Sequence, residues 1–344
     1  MENKIPIKNI YYMLCYAWDR LEQRDIVEID TIESNEILDL FAMVLGNGIN
    51  YLIKRGFHRL YIPYQKEESF IRGKININES IKRRSWIKGK MYCEYDDLSH
   101  NVLHNQILKT TIYNLLLCQS LNEDLKDQLI KLYRYFELID KVNLNKKMFR
   151  EVQINRNNHY YSFLIDICEI IYDNLLVDES SGEVKFKDFI RDEIQMAYVF
   201  ENFVRNFYKR ELIEGKVYRE NIEWNVEKGE KLEYLPIMQT DISIEIGNRK
   251  IIMDTKYKKD AFAYNYNAKK FHSDNLYQLF AYLKNVKIKV DINKNCEGIL
   301  LYPKTGEDLN LRYKLQGEVI KIKTVDLNQD WQLIRERLLE VVKK

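Results

Sequence analysis

A chain of 344 residues exceeds what one hydrophobic core usually organises, so about two domains are expected. Apolar residues make up 46% and charged residues 31%, and no uninterrupted apolar run approaches the roughly 20 residues of a membrane span, so no membrane segment is expected. The start, MENKIPIKNIYYM, has no signal-peptide pattern, which points to the cytoplasm, and 54 basic against 52 acidic residues leave a net charge of only +2, so any nucleic-acid partner must be argued from local charge.

Ile10, Met13, Leu14, Ala17, Trp18 and Leu21 recur at helical spacing and predict an amphipathic helix. Ser34 or Asn35 is a candidate cap for a second helix through about Lys54. HRLYIPYQKEESFIRGKININES then reads as strands from its alternating Ile, Tyr and Phe. Helical stretches follow at about 101 to 119 and 122 to 139, and another begins at Tyr160 in YYSFLIDICEIIYDNLL. Gly182, in DESSGEV, marks a domain boundary, giving 1–185 and 186–344. Beyond it the pattern is helix (187 to 211), strands (217 to 225, 239 to 246, 249 to 257), helix (274 to 285) and strand (297 to 302), an α/β domain after a mixed α+β one. The five cysteines are scattered and odd in number, so buried thiols are expected rather than zinc ligands or disulfides.

Chemistry concentrates in QTDISIEIGNRKIIMDTKYKK, Gln239 to Lys259. Gly247-Asn248 between two β-rich runs signals a two-residue hairpin turn. That turn pairs Ile246 with Arg249 and sets Asp241 opposite Asp254 in a non-hydrogen-bonded pair, with Cα atoms about 4.5 Å apart. Two facing carboxylates repel, so the pair needs a cation or a raised pKa. Mg²⁺, hard and oxygen-seeking, is the natural cation, with Asp241 and Asp254 as its ligands. Lys256 falls on the same strand face, where its ammonium can orient or deprotonate a water and stabilise charge on phosphorus. The plainer alternative is an exposed hairpin with solvated charges.

Glu201, in AYVFENFVRNFY, is a further catalytic candidate that can reach a metal or its water, or simply pair with Arg205 one turn on. Gln278 and Tyr282 share a helix face and can point at the active edge of the sheet, although a Tyr at this spacing also suits a core. His272 and the other histidines have no ligand spacing. Arg72, Lys74, Lys82, Arg83, Arg84, Lys88 and Lys90 face the single acid Glu79 within their segment, enough for a phosphate-binding or partner surface.

The order helix, three strands, helix, strand, with TD on the second strand and D-T-K on the third, resembles the PD-(D/E)xK nuclease superfamily. The resemblance implies a restriction-endonuclease-like αβββαβ domain with Asp241, Asp254 and Lys256 as its catalytic set. Gln278 and Tyr282 match the Q-x-x-x-Y motif found in part of the superfamily, and Glu201 falls where its first-helix acid usually lies. Thr240 replaces the usual Pro, a departure that removes no catalytic group. IPIKNIYYMLCYAW, FIRGKININES, the Asn105 to Leu116 helix and NHYYSFLIDIC extend the likeness to nearly the full length, and the chain resembles the McrC family of McrBC-type restriction systems.

That likeness implies an endonuclease subunit acting on modified double-stranded DNA with an McrB-like AAA+ GTPase ring, docked by residues 1–185. No G-x-x-x-x-G-K-[ST] phosphate loop occurs, consistent with nucleotide turnover on another chain. A repair or recombination nuclease of the same superfamily and a non-catalytic AAA+ activator are the competing readings.

Overall fold

The computed structural model describes residues 5–19, 36–177, 184–187, 192–258, 261–265, 268–286 and 295–343. The expected boundary glycine, Gly182, and the expected caps Ser34 and Asn35 lie outside these residues. Two compact units are present, Ile37–Lys187 and a second made of Met1–Glu36 with Asp188–Lys344.

The chain begins with α1 (Ile7–Ala17). The Ile37–Lys187 unit then holds α2 (Ile37–Arg55), β1 (Leu60–Glu68), β2 (Lys74–Ile75), α3 (Ile77–Lys82), β3 (Met91–Ser99), α4 (Leu103–Leu116), α5 (Glu123–Tyr133), α6 (Lys146–Glu151), α7 (Tyr161–Asn174), β4 (Leu175–Val177) and β5 (Val184–Phe186). α2 is long and apolar enough to cross a bilayer, but 67% of that apolar window is buried within the protein, and the helix packs on α5 and α7. β3 is the central strand of an antiparallel sheet ordered β1-β3-β2. The segment after β2, expected as strand, is the helix α3. Asn76 Oδ1 accepts the Glu79 N–H at 3.0 Å, an N-cap that turns the chain into a helix there. All five cysteines are free and buried.

The second unit continues with α8 (Glu193–Glu211), β6 (Lys216–Tyr218), β7 (Asn221–Ile222), β8 (Met238–Gln239), β9 (Ile242–Ile246), β10 (Arg249–Thr255), β11 (Phe262–Asn265), β12 (Ala268–Phe271), α9 (Ser273–Val286), β13 (Cys296–Pro303), β14 (Asn310–Leu315), β15 (Glu318–Val325) and α10 (Trp331–Val341). Its main sheet is mixed, ordered β14-β15-β13-β10-β9-β6. β10 runs parallel to β13 and antiparallel to β9. The expected helix–strand–strand–strand–helix–strand order is present as α8, β6, β9, β10, α9 and β13, and β15, β14 and α10 extend it.

The boundary after Lys187 falls close to the expected split at 185, whereas the N-terminal residues up to Glu36 group with the C-terminal unit and not with the one that follows them. α1 belongs with the C-terminal unit because its buried stripe packs on α8. The Tyr16 ring meets Phe203 edge-on and stacks on Trp331. Asn206 Nδ2 donates to the Tyr16 and Ala17 carbonyls, both at 3.0 Å, which satisfies the end of α1 from a neighbouring helix.

α9 covers the sheet by setting Leu279, Tyr282 and Leu283 among Ile252, Leu300, Ile320 and Ile322. Gly298 on β13 permits that approach, since a Cβ there would lie 2.9 Å from Leu279 Cγ and from Leu283 Cδ1. Both leucines are fully buried and have little room to yield. Gly298→Ala is therefore expected to destabilise this unit by about 1–3 kcal/mol, read as a lower urea midpoint at unchanged m-value.

Candidate active site

Gly247 takes a left-handed φ of +54°, as the first turn position of a tight hairpin demands. The register that follows pairs Ile246 with Arg249 and runs to Ile242 with Met253. The ladder stops there, one pair short of the expected facing of Asp241 and Asp254. Asp241 stands just outside β9 and turns its carboxylate onto the far end of β10, where Oδ2 accepts from Thr255 N–H at 2.9 Å and from Thr255 Oγ1 at 3.2 Å. Asp254 lies next to Thr255 on the same strand, between β9 and β13, and is wholly buried. Lys256 Nζ is 2.8 Å from Asp254 Oδ2. The three residues read from the sequence thus meet at the C-terminal end of β10.

A relay of side chains holds the lysine. Lys256 Nζ donates to Gln278 Oε1 at 3.0 Å, Gln278 Nε2 donates to the Tyr282 hydroxyl at 2.7 Å, and that hydroxyl donates to the Gln239 carbonyl at 2.9 Å. Gln278 and Tyr282 are one turn apart on α9, so both reach the sheet edge. Glu201 comes close to the site but is engaged by two guanidinium groups, Arg205 Nη1 at 2.8 Å and Arg219. Arg205 also reaches the Asp241 carbonyl at 3.5 Å. The Glu201–Arg205 pair is the plainer of the two expectations for Glu201, whereas Thr255 and Arg219 are site residues that sequence reasoning did not single out. Thr255 lay in view as the middle letter of D-T-K, whereas Arg219 carries no local signal.

Burial raises the Asp254 pKa first, the negative charge of Asp241 raises it further, and Lys256 opposes both. Asp241 is also raised, chiefly by burial and then by the charge of Glu201, against the two Thr255 hydrogen bonds. Among the described residues the Lys256 ammonium is the one group that offsets this charge, as an ion pair with Oδ2, and apart from it both Asp254 oxygens are buried without a hydrogen-bond partner. Orphaned carboxylate oxygens beside a second carboxylate suit a hard cation that takes oxygen donors. Among the described residues there is no cluster of three or more His, Cys, Asp or Glu able to hold a metal. Asp241 and Asp254 can offer two carboxylates to such a cation, a donor set that suits Mg²⁺, which keeps water and phosphate oxygens in its remaining positions.

The profile of the McrBC 5-methylcytosine restriction system component family matches residues 4–303. The chain belongs to this family, as an McrC-type member. It is 33% identical over 339 residues to a protein of Escherichia coli (strain K12) described as Type IV methyl-directed restriction enzyme EcoKMcrBC, covering 98% of this chain and 97% of that one. Its fold resembles a chain in a refined half-complex from the tetradecameric assembly of Thermococcus gammatolerans McrB AAA+ hexamers with bound McrC, with a TM-score of 0.61 at 17% identity, covering 98% of this chain and 76% of that one.

In this McrC-type chain the basic run lies in the other unit, from just before β2 through α3 to β3. Four of its seven cations are ion-paired: Arg72 with Asp97, Lys82 and Arg83 with Glu79, and Lys88 with Glu67. Among the described residues Lys74, Arg84 and Lys90 have no carboxylate within 4.0 Å, and Arg84 is held at a left-handed φ of +54°. The same excursion exposes Phe70, Ile71, Ile81, Trp86 and Ile87, of which Phe70 is 82% exposed.

Because folding raises the Asp254 pKa, the folded state favours the protonated acid. The cost of ionising it is absent below the unfolded pKa of about 3.9, grows as pH rises and is complete above the raised folded value. Asp254→Asn in metal-free buffer should therefore melt higher than the parent at pH 8 and lose that advantage towards pH 4. The gain should be about 2–4 °C for each kcal/mol relieved, measured by calorimetry at both pH values.

Proposed function

We propose that this McrC-family chain is a Mg²⁺-dependent endodeoxyribonuclease subunit that hydrolyses phosphodiester bonds of double-stranded DNA, directed at methylated sites and driven by an McrB-like AAA+ GTPase ring. The observation that carries the proposal is the buried Asp254 carboxylate, both oxygens without hydrogen-bond partners, set beside Asp241 and Lys256. A hairpin kept only for its fold has no use for that cost, since a buried carboxylate that faces a second one, with a single lysine to offset it, destabilises the chain that holds it.

Asp241 and Asp254 would hold the metal, which supplies Lewis acidity at the scissile phosphate and lowers the pKa of a bound water. Lys256, held by Gln278, places a cation where negative charge builds on phosphorus and hydrogen-bonds the attacking water. Tyr282 fixes Gln278, so the lysine is restrained before substrate arrives. Glu201, neutralised by Arg205 and Arg219, supports the geometry of the pair through Arg205, which also reaches the Asp241 carbonyl. Asp254→Ala, Asp241→Ala and Lys256→Ala should each lower Mg²⁺-dependent cleavage of methylated duplex, in the presence of the ring partner, by at least about 10²-fold, with Gln278→Ala and Glu201→Ala milder. Wild-type cutting by Asp254→Ala protein after chelation and Mg²⁺ restoration would falsify the assignment.

The family description names 5-methylcytosine, and the structural relative is a chain of an assembly of McrB AAA+ hexamers with bound McrC. Exposed aromatic and aliphatic side chains interleaved with Arg84, Lys74 and Lys90 suit a protein partner better than a phosphate backbone alone, because apolar patches of this kind mark docking surfaces. Arg84→Glu is expected to reduce stimulation of the partner's GTP turnover while leaving the salt dependence of DNA binding unchanged. The opposite pattern would assign the run to DNA.

A further inference from the structure

Asp241 needs support that its strand does not provide. The β9–β10 ladder ends at Ile242, so the residue proposed to hold the metal sits beyond the last paired position. On its C-terminal side the carboxylate is pinned by Thr255. On its N-terminal side the preceding residue is Thr240, only 1% exposed.

A closed set of bonds surrounds Thr240. Its N–H donates to the Glu220 carbonyl at 2.9 Å, and its Oγ1 accepts the Glu220 N–H at 3.0 Å. The Ser243 hydroxyl donates to Glu220 Oε2 at 3.1 Å. Ser243 has one hydroxyl proton and spends it there, so at the 3.0 Å contact between the two hydroxyls Thr240 must be the donor. The ring therefore runs from Glu220 N–H to Thr240, to Ser243 and back to the Glu220 carboxylate. Lys250, 2% exposed on β10, donates to the free oxygen of that carboxylate, Oε1, at 2.8 Å. Ser243 and Lys250 belong to the β9–β10 ladder, so the ring ties Thr240, which lies between β8 and β9, to the main sheet.

We propose that Thr240, Ser243, Glu220 and Lys250 form a positioning network for Asp241, setting the place of its carboxylate for metal binding; this rests on the nuclease reading above. Proline at position 240 would lack both the N–H and the hydroxyl that the ring uses. The threonine that departs from the superfamily pattern is thus the residue through which Glu220 holds the site.

Glu220 and Lys250 are unsuitable first probes, because removing one member of a buried ion pair leaves the other uncompensated. Thr240→Val keeps the shape and deletes the hydroxyl, Ser243→Ala opens the ring at its next link, and Thr240→Ser restores the hydroxyl. Mn²⁺ binding to the full chain is read by electron paramagnetic resonance, beside melting temperature and cleavage in the presence of the ring partner. Thr240→Val and Ser243→Ala should weaken Mn²⁺ affinity by about 10-fold or more and lower the cleavage rate, and Thr240→Ser should recover both. Parental Mn²⁺ affinity in Thr240→Val and Ser243→Ala, with only the melting temperature reduced, would overturn the proposal and leave the nuclease reading intact. If the parent binds Mn²⁺ no better than Asp254→Ala does, the nuclease reading falls and takes this proposal with it.

Discussion

An ionisable carboxylate at the end of a central strand, sealed from water on every side, is the condition to which much of the C-terminal unit answers. Asp254 is fully buried between β9 and β13, its charge is opposed by Asp241, and only Lys256 offsets it. Left alone, such a group protonates or destabilises the sheet. Its neighbours reduce the repulsion without removing it. Thr255 satisfies the second aspartate, Gln278 steers the lysine, and the two arginines neutralise Glu201 so that a third negative charge is not left bare.

That residual repulsion separates a site from a scaffold. The same unit holds another buried charged set, Glu297 with Arg249 and Lys321, in which every charge has a partner and the glutamate pKa is lowered. Burial and charge occur in both places, but only at Asp254 are the carboxylate oxygens left without hydrogen bonds. A binding site requires unspent donors and acceptors, whereas a structural cluster consumes them.

The helices bring distant segments to that point. α9 closes on the sheet over Gly298, which places Gln278 beside Lys256 and Tyr282 beside Gln239. α8 brings Arg205 to the Asp241 backbone, and α1 buttresses α8 through Tyr16 and Asn206. The first helix of the chain therefore belongs to the architecture behind the site, which explains why it clusters with residues nearly two hundred positions away rather than with its sequence neighbours.

Local chemistry in the sequence determined the turn at Gly247-Asn248, the hairpin register, the two carboxylates with their lysine, and the paired Gln278 and Tyr282, because turn residues, strand period and helix period act over a few positions and are written in adjacent letters. It also determined most helices, whose apolar stripes are strong over ten or more residues. Tertiary structure decided the rest. Asp241 leaves the ladder where its carboxylate meets the Thr255 amide and Thr240 meets Glu220, contacts that strand period does not mark. The break between β8 and β9, the capped turn that makes α3 helical, and the transfer of α1 to the C-terminal unit follow from hydrogen bonds or packing partners that the hydrophobic pattern does not encode. Periodicity states which face of an element is buried, while the partner that buries it is chosen by the packing of the whole chain.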